Sequence, residues 1–325
     1  MKNKKVVILS IGGTIASKIN PDTGLLTAGV LTGEELSQMC NLPPNINVEV
    51  ISVFQIPSNH MTFGHLEILK DKIEKVFECE DVGGVVITHG TDTLEETAYF
   101  LDLVIADDRP VVITGSQRGP AAIGTDAFVN LRQSILLAAH FECRGLGTIV
   151  LFNERIYSGR YVQKVHASNL NGFTSYGFGY LGIVDQEKIY IYQKPVKREV
   201  YRIRESLPNI EIVKCFLGSD GKFIDCAADY GAKGIIIEAP GRGHAPPFIL
   251  ESVKRAIAKG IYVLLTTSAE EGEVKMVYDF PGSAWTLQNE GVLLAGDYDS
   301  KKARIKLAVI LAAGIENVHE GYFQQ

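Results

Sequence analysis

Two segments carry a threonine directly behind glycine, each after an apolar run: SIGGTIA, residues 10–16, and ITHGTDT, residues 87–93. Gly12 and Gly13 in the first, and Gly90 in the second, allow a tight turn that no Cβ obstructs. Such turns leave Thr14 and Thr91 exposed and backbone N–H groups free to face a substrate. A threonine hydroxyl is a poor nucleophile at neutral pH, so either one needs a base or a second proton carrier. Asp92 and a lysine from elsewhere in the chain can supply charge and proton transfer, but composition does not say which lysine. Each turn alone also reads as a plain helix cap. The pair, with an aspartate beside one member, points to a site.

The elements that must position these turns follow the pattern of an α/β protein. VVILS, GGVVIT, PVVIT and TIVLF are continuous in Val and Ile rather than alternating, as in parallel strands covered on both faces. After GGVVIT, Leu94, Ala98, Leu101 and Ile105 fall at helical spacing, and Thr93 with Glu96 predicts a capping box, so a helix starts at about Thr93. Thr91 and Asp92 then sit in a strand-to-helix turn at the carboxyl end of a strand, where open α/β sheets hold their ligands. A second helix is expected over residues 126–140, with Phe128, Leu131, Ile135 and Ala138 on one face, after a loop over residues 115–124. The C-terminal part repeats the pattern: GAKGIIIEA as strand, GRGHAPP as loop, FILESVKRAIAK as a helix ending at Gly260, IYVLLTTS as strand, and a final helix over residues 300–313. The charged, weakly periodic stretch 194–209 reads as a linker. The expected fold is α/β: a larger N-terminal domain, residues 1–193, with a mostly parallel sheet flanked by helices, and a smaller α/β domain, residues 210–325, also with a parallel sheet.

The 325 residues, 46% hydrophobic with a net charge of −6, fit about two domains of roughly 150 residues each. Mild acidity leaves no basic footprint for nucleic acid. No apolar stretch reaches the roughly 18 residues that span a bilayer, so no membrane partner is expected. Lys2, Lys4 and Lys5 ahead of VVILSIGGTIA imitate a signal peptide, but the apolar run is short and glycines follow it; it reads as a buried first strand. Cys40, Cys79, Cys143, Cys215 and Cys226 are odd in number and lack metal or CxxC spacing, which fits reduced thiols in a cytoplasm. There is no HExxH, no GxSxG and no complete Walker A loop. Gly177, Gly179 and Gly182 spell GxGxxG, yet no long strand precedes them and no helix follows, so they read as a loop. The histidines are scattered without metal spacing. Neither metal nor cofactor is expected.

IGGTIA and THGTDTLEETAYFLDL together resemble the two signature segments of the bacterial-type L-asparaginases. TGSQRGPAAIGTDAFVNLRQSILLA resembles the segment that follows them, GRYVQKVHASNLNGF the lysine-bearing one, and the likeness runs on to AGDYDSKKARIKLA, practically the whole chain. The resemblance implies hydrolysis of a side-chain amide, yielding aspartate and ammonia from asparagine without metal or cofactor. Carried over position by position, it makes Thr14 the nucleophile that forms an acyl-enzyme, with Thr91, Asp92 and Lys164 as a second polar constellation. It makes Ser58, in IPSNHMT, the serine that helps hold the substrate's α-carboxylate, and Asp92 the acceptor for its α-ammonium. Ser116, in ITGSQR, matches a position whose backbone carbonyl lies near the amide. Donors for the oxyanion of the tetrahedral intermediate are expected from backbone N–H near Gly13 and Thr91. Lys164 is assigned to proton transfer or electrostatic tuning with its protonation state open, since Asp92 favours the ammonium and burial opposes it. The family further implies a cytoplasmic homotetramer, a dimer of dimers, whose partner is the small-molecule substrate.

Some positions depart from the family pattern. The polar loop 17–30 is expected to close over the site and exclude water, yet it has Leu26 where members often carry tyrosine, and it holds no tyrosine. In GRGHAP, His244 stands where the family commonly has an asparagine that reaches the neighbouring subunit's site, and the acidic residue of the following loop has no equivalent near Ala284. Discrimination between asparagine and glutamine concerns one methylene, worth about 1–3 kcal/mol in a shaped pocket, so preference for asparagine follows from the resemblance alone. Competing uses of the fold are a glutaminase-asparaginase, an amidotransferase component serving tRNA, and a non-catalytic amino-acid sensor. The amidotransferase subunit carries an additional N-terminal domain, whereas IGGT arrives almost at once here. The presence of both threonines, Asp92 and Lys164 speaks against the sensor.

Overall fold

Val6, Ile8 and Leu9 have no exposed surface because the strand that holds them, β1 (Lys4–Ser10), is flanked by neighbours on both edges. The computed structural model describes residues 4–12, 18–19, 26–27, 38 and 40–324. The chain divides into two units, Met1–Val200 and Tyr201–Gln325. In the first, β1 is followed by a two-residue pair, β2 (Lys18–Ile19) and β3 (Leu26–Thr27), and then by β4 (Ile46–Ser52), β5 (Val82–Thr88), β6 (Val111–Thr114) and β7 (Thr148–Phe152). Shorter strands come next: β8 (Arg155–Ser158), β9 (Gln163–Lys164), β10 (Phe173–Thr174), β11 (Gly182–Asp185) and β12 (Lys188–Ile191). An eight-stranded sheet runs β12-β11-β8-β7-β6-β5-β1-β4. It is parallel from β4 to β7 and antiparallel beyond.

Three longer helices cover this sheet: α1 (Phe63–Phe77), α2 (Leu94–Val104) and α3 (Ala127–Ala138). Val6, Ile8, Val86, Val112, Ile149 and Leu151 share one apolar cluster with Leu131 and Ile135 of α3. The alternate residues, among them Val7, Leu9, Val85 and Ile87, therefore face the other side, where α1 packs on β5 and α2 on β6 and β7. Burial on both faces is why these strands read as unbroken apolar runs. From β1 the chain goes first to β4 on one side and then to β5 on the other, so the strand order reverses at β1. A crevice opens at such a reversal, outside the carboxyl ends of the diverging strands.

The second unit holds a parallel sheet in the order β13 (Ile210–Lys214), β14 (Gly234–Ala239), β15 (Tyr262–Thr267), β16 (Leu293–Leu294). Its helices are α4 (Lys222–Asp229), α5 (Leu250–Ala258), α6 (Ala284–Asn289) and α7 (Ser300–Ala312). α7 packs on β13, β14 and β15 and is buried nearly all round, Lys306 included; the Lys306 ammonium donates to Tyr298 Oη at 3.0 Å. No described helix is long and apolar enough to cross a membrane.

One expectation fails at a helix start. Thr93 does precede α2, but its side chain makes no capping bond; its hydroxyl donates instead to the Ser58 carbonyl, 2.7 Å away. The Thr93 hydroxyl joins Met61 N–H on the Ser58 carbonyl, whose oxygen has two lone pairs, and so ties the 3-10 turn to the start of α2. A reciprocal capping box forms at α1 instead, where Thr62 Oγ1 accepts from His65 N and His65 Nδ1 accepts from Thr62 N. Thr62→Ala is expected to lower stability by about 1 kcal/mol, measured as a shift of the urea midpoint with unchanged slope.

Candidate active site

The crevice at the end of β1 begins with Ile11, whose N–H bonds the Thr88 carbonyl at 3.3 Å. Gly12 follows at φ +112°, and a Cβ there would run into the Ile56 carbonyl oxygen. Glycine is thus required by both conformation and space, as a tight turn demands. Gly13, Thr14 and, apart from residues 18–19 and 26–27, the loop 17–30 lie outside the described residues.

Beyond β5, His89 N donates to the Thr114 carbonyl at 2.8 Å. The fully buried His89 ring sits with Nδ1 2.7 Å from the Gly90 carbonyl and Nε2 2.8 Å from Thr97 Oγ1. A carbonyl only accepts, so Nδ1 carries the proton and Nε2 receives the Thr97 hydroxyl. Burial holds this imidazole down to about 4, neutral at physiological pH. The turn is thus pinned from below by an uncharged ring. On its other side a Cβ on Gly90 would lie 2.8 Å from Ser58 Oγ.

Thr91 and Asp92 come next, and Lys164 meets both. Lys164 Nζ lies 2.8 Å from Thr91 Oγ1 and 2.6 Å from Asp92 Oδ1. The lysine is brought there by β9, which pairs with β10 through Lys164 and Phe173. Its backbone N–H donates to the carboxylate of Glu95, a buried residue in the first turn of α2. The helix that begins beside Thr91 and Asp92 therefore also grips the strand that delivers the lysine. Lys164 keeps only 14% of its side-chain surface exposed, but Asp92 keeps 67%, so the aspartate remains accessible to a solute cation.

Ser58, in a 3-10 turn (Ser58–His60), is buried, and its Oγ accepts from Asp92 N at 3.3 Å. That bond occupies the oxygen and leaves the hydroxyl proton for an anionic partner. Ser116 is buried, and its hydroxyl has no hydrogen-bond partner among the described residues. It follows Gly115, where an added Cβ would crowd the Thr91 methyl group. His244 belongs to the second unit. Its ring meets Tyr278 and Phe280 edge-on at 5.2 and 5.3 Å, neither ring nitrogen has a hydrogen-bond partner among the described residues, and burial lowers its pKa.

Of the residues named from sequence, the structure brings Ser58, Thr91, Asp92, Lys164 and the Gly115–Ser116 turn together. His89 and Glu95 were not foreseen. Both sit in segments read only for helix and turn signals, and Glu95 falls beside the apolar stripe of Leu94, Ala98, Leu101 and Ile105, so the local pattern does not mark it for burial. Among the described residues no group of three or more His, Cys, Asp or Glu is placed to hold a metal ion.

Residues 5–197 match the family described as Asparaginase, N-terminal, and residues 209–319 match the Glutaminase/Asparaginase C-terminal domain. The chain belongs to the asparaginase family. An L-asparaginase of Bacillus licheniformis is 52% identical over 320 residues, covering 98% of this chain and 99% of the relative. A glutaminase-asparaginase of Pseudomonas aeruginosa is 32% identical, covering 95% of this chain and 87% of that one. Among solved structures, a probable cytoplasmic L-asparaginase from Campylobacter jejuni superposes with a TM-score of 0.87 at 30% identity, covering 98% of this chain and 99% of its own. In this asparaginase the family's C-terminal match falls on the parallel sheet β13 to β16, and its N-terminal match on the sheet whose carboxyl ends carry Thr91, Asp92 and Ser58.

Proposed function

We propose that this chain hydrolyses the side-chain amide of L-asparagine to L-aspartate and ammonia through a threonine acyl-enzyme. The observation that carries the reading is the position of Lys164 Nζ, within hydrogen-bond reach of both Thr91 Oγ1 and Asp92 Oδ1. Thr14 Oγ attacks the amide carbon; the O–C bond forms, the C–N bond breaks, and the hydroxyl proton leaves with ammonia. Water then cleaves the ester, releasing aspartate and restoring the Thr14 hydroxyl. Thr91 and Lys164 form the proton-carrying pair for these steps, since a hydroxyl bonded to an amine can pass a proton either way. The scheme calls on no metal and no cofactor.

The exposed Asp92 carboxylate accepts the substrate's α-ammonium, and the Ser58 hydroxyl, which donates to none of the described residues, meets its α-carboxylate. The Ser116 carbonyl faces the amide, and backbone N–H near Gly13 and Thr91 stabilises the oxyanion. His244 supplies a hydrogen bond to a neighbouring subunit's site. The exposed aromatics of the second unit, Phe248, Tyr278, Phe280 and Trp285, suit burial in a subunit contact, in support of a homotetramer built as a dimer of dimers, and the likeness to a probable cytoplasmic L-asparaginase supports work in the cytoplasm. Residues 194–209 serve as the linker between the two parts.

Purified protein should release ammonia from L-asparagine in a coupled assay, with a higher kcat/KM than for L-glutamine measured in parallel, and folded Thr14→Ala should release none. Activity surviving in Thr14→Ala would remove the nucleophile assignment. Faster turnover of glutamine would place the chain with the glutaminase-asparaginases, and asparagine binding by calorimetry without ammonia would make it a sensor.

A further inference from the structure

We infer that Asn130, on α3 and outside the site, sets the rotamer of Thr91 by holding Gly115 against its methyl group, so that the hydroxyl stays aimed at Lys164. The inference rests on the reading of Thr91 as part of the proton-carrying pair.

Asn130 is 1% exposed. Its amide donates to the Gly115 carbonyl at 2.9 Å and to Asp126 Oδ2 at 3.1 Å, and its carbonyl accepts from Asn153 N at 3.2 Å. Asp126 completes the clamp by accepting from Gln117 N and Arg118 N, both at 3.0 Å. Every peptide group flanking Ser116 that these side chains can reach is thereby fixed. A fully satisfied buried polar network holds its members in one arrangement.

The clamped segment bears on Thr91. A Cβ on Gly115 would lie 2.5 Å from the His89 carbonyl oxygen, 3.3 Å from Thr91 Cγ2 and 3.6 Å from Leu94 Cδ1. Gly115 therefore adjoins Thr91, with no room between them for even a β-carbon. Threonine's Cβ is chiral and carries both Oγ1 and Cγ2, so seating the methyl fixes the hydroxyl as well. The fixed hydroxyl lies 2.8 Å from Lys164 Nζ. Asn130 has no hydrogen bond to Lys164, Asp92 or Ser58, so it is a positioning residue, and the groups proposed to hold the substrate's α-ammonium and α-carboxylate do not depend on it.

A double-mutant cycle on kcat tests the idea. Asn130→Ala in the wild-type background should lower kcat by about 10- to 100-fold, the loss typical of a misplaced reacting group, with KM nearly unchanged. In Thr91→Ser, which keeps the hydroxyl but lacks the methyl, the rotamer is already free, and Asn130→Ala should cost no more than about 3-fold further. Losses that multiply in the double variant would overturn the inference, as would a KM change matching the kcat loss. Should Asn130→Ala not accumulate as folded protein, judged by near-ultraviolet circular dichroism, Asn130→Asp keeps the size, removes the amide donor and takes its place in the cycle. Thr91→Ala separates the two levels. If it stays active, the catalytic reading of Thr91 has failed; if it is inactive and the cycle is additive, only the role of Asn130 has.

Discussion

Thr91→Ala should lower kcat on asparagine by about 10³-fold, the middle of the range for a lost proton carrier, while KM moves by no more than a few-fold. Lys164→Met should do the same, and the double variant should be no slower than either single one. The reason is that Thr91 Oγ1 and Lys164 Nζ are one device joined at 2.8 Å, and groups acting as a unit lose their whole effect when either is removed. Binding survives because the ion pair with Lys164 leaves Asp92 largely in solvent, free to meet an ammonium in the variant as well. The main-chain bond from Lys164 to Glu95 does not depend on the lysine side chain, so β9 should stay in place. Steady-state kinetics on the three variants decide the matter. A double variant slower by the product of the single losses would show two independent contributions and break the pairing.

The second large effect is on stability against pH. His89 is neutral and fully buried, held down to about 4 against an ordinary value of 6.5. Between these two values the unfolded chain binds a proton at this residue and the folded one does not, so stability rises with pH across that window. The contribution is complete above about 6.5 and disappears progressively toward pH 4. A displacement of this size corresponds to about 3 kcal/mol at pH 4 relative to neutral pH. In His89→Gln, whose amide can donate to the Gly90 carbonyl and accept from Thr97, this part of the pH dependence should vanish. Urea unfolding of both proteins at pH 7, 5.5 and 4 measures it. Parallel stability curves for the two would assign the acid sensitivity to other groups.

Much of the scaffold was legible because two-sided burial imposes its own composition. β5, β6 and β7 are apolar throughout, and the turn at Thr91 and Asp92 was located from the strand before it and the helical period after it. Lys164 was not legible that way. Only the pairing of two-residue strands brings it to a turn far away in sequence, and such strands carry no periodicity; the resemblance alone singled it out. The antiparallel strands β8, β11 and β12 escaped for the same reason, at four residues each. Thr93 shows the opposite failure. A clear local signal for a capping box was overridden by the Ser58 carbonyl, a partner that exists only once the 3-10 turn has docked. Asn130 and Asp126 lie in a segment that reads as a helix start, and nothing in their spacing separates a buried clamp from ordinary polar positions.

The reversal of strand order at β1 has a consequence for biosynthesis. β1 is translated before either of its neighbours, yet it must end with β4 on one edge and β5 on the other. Until Thr88 has left the ribosome, Val6, Val7, Ile8 and Leu9 form an apolar strand with at least one open edge, a template to which other chains can add. The nascent polypeptide is therefore exposed to misassociation at the very strand that later borders the crevice.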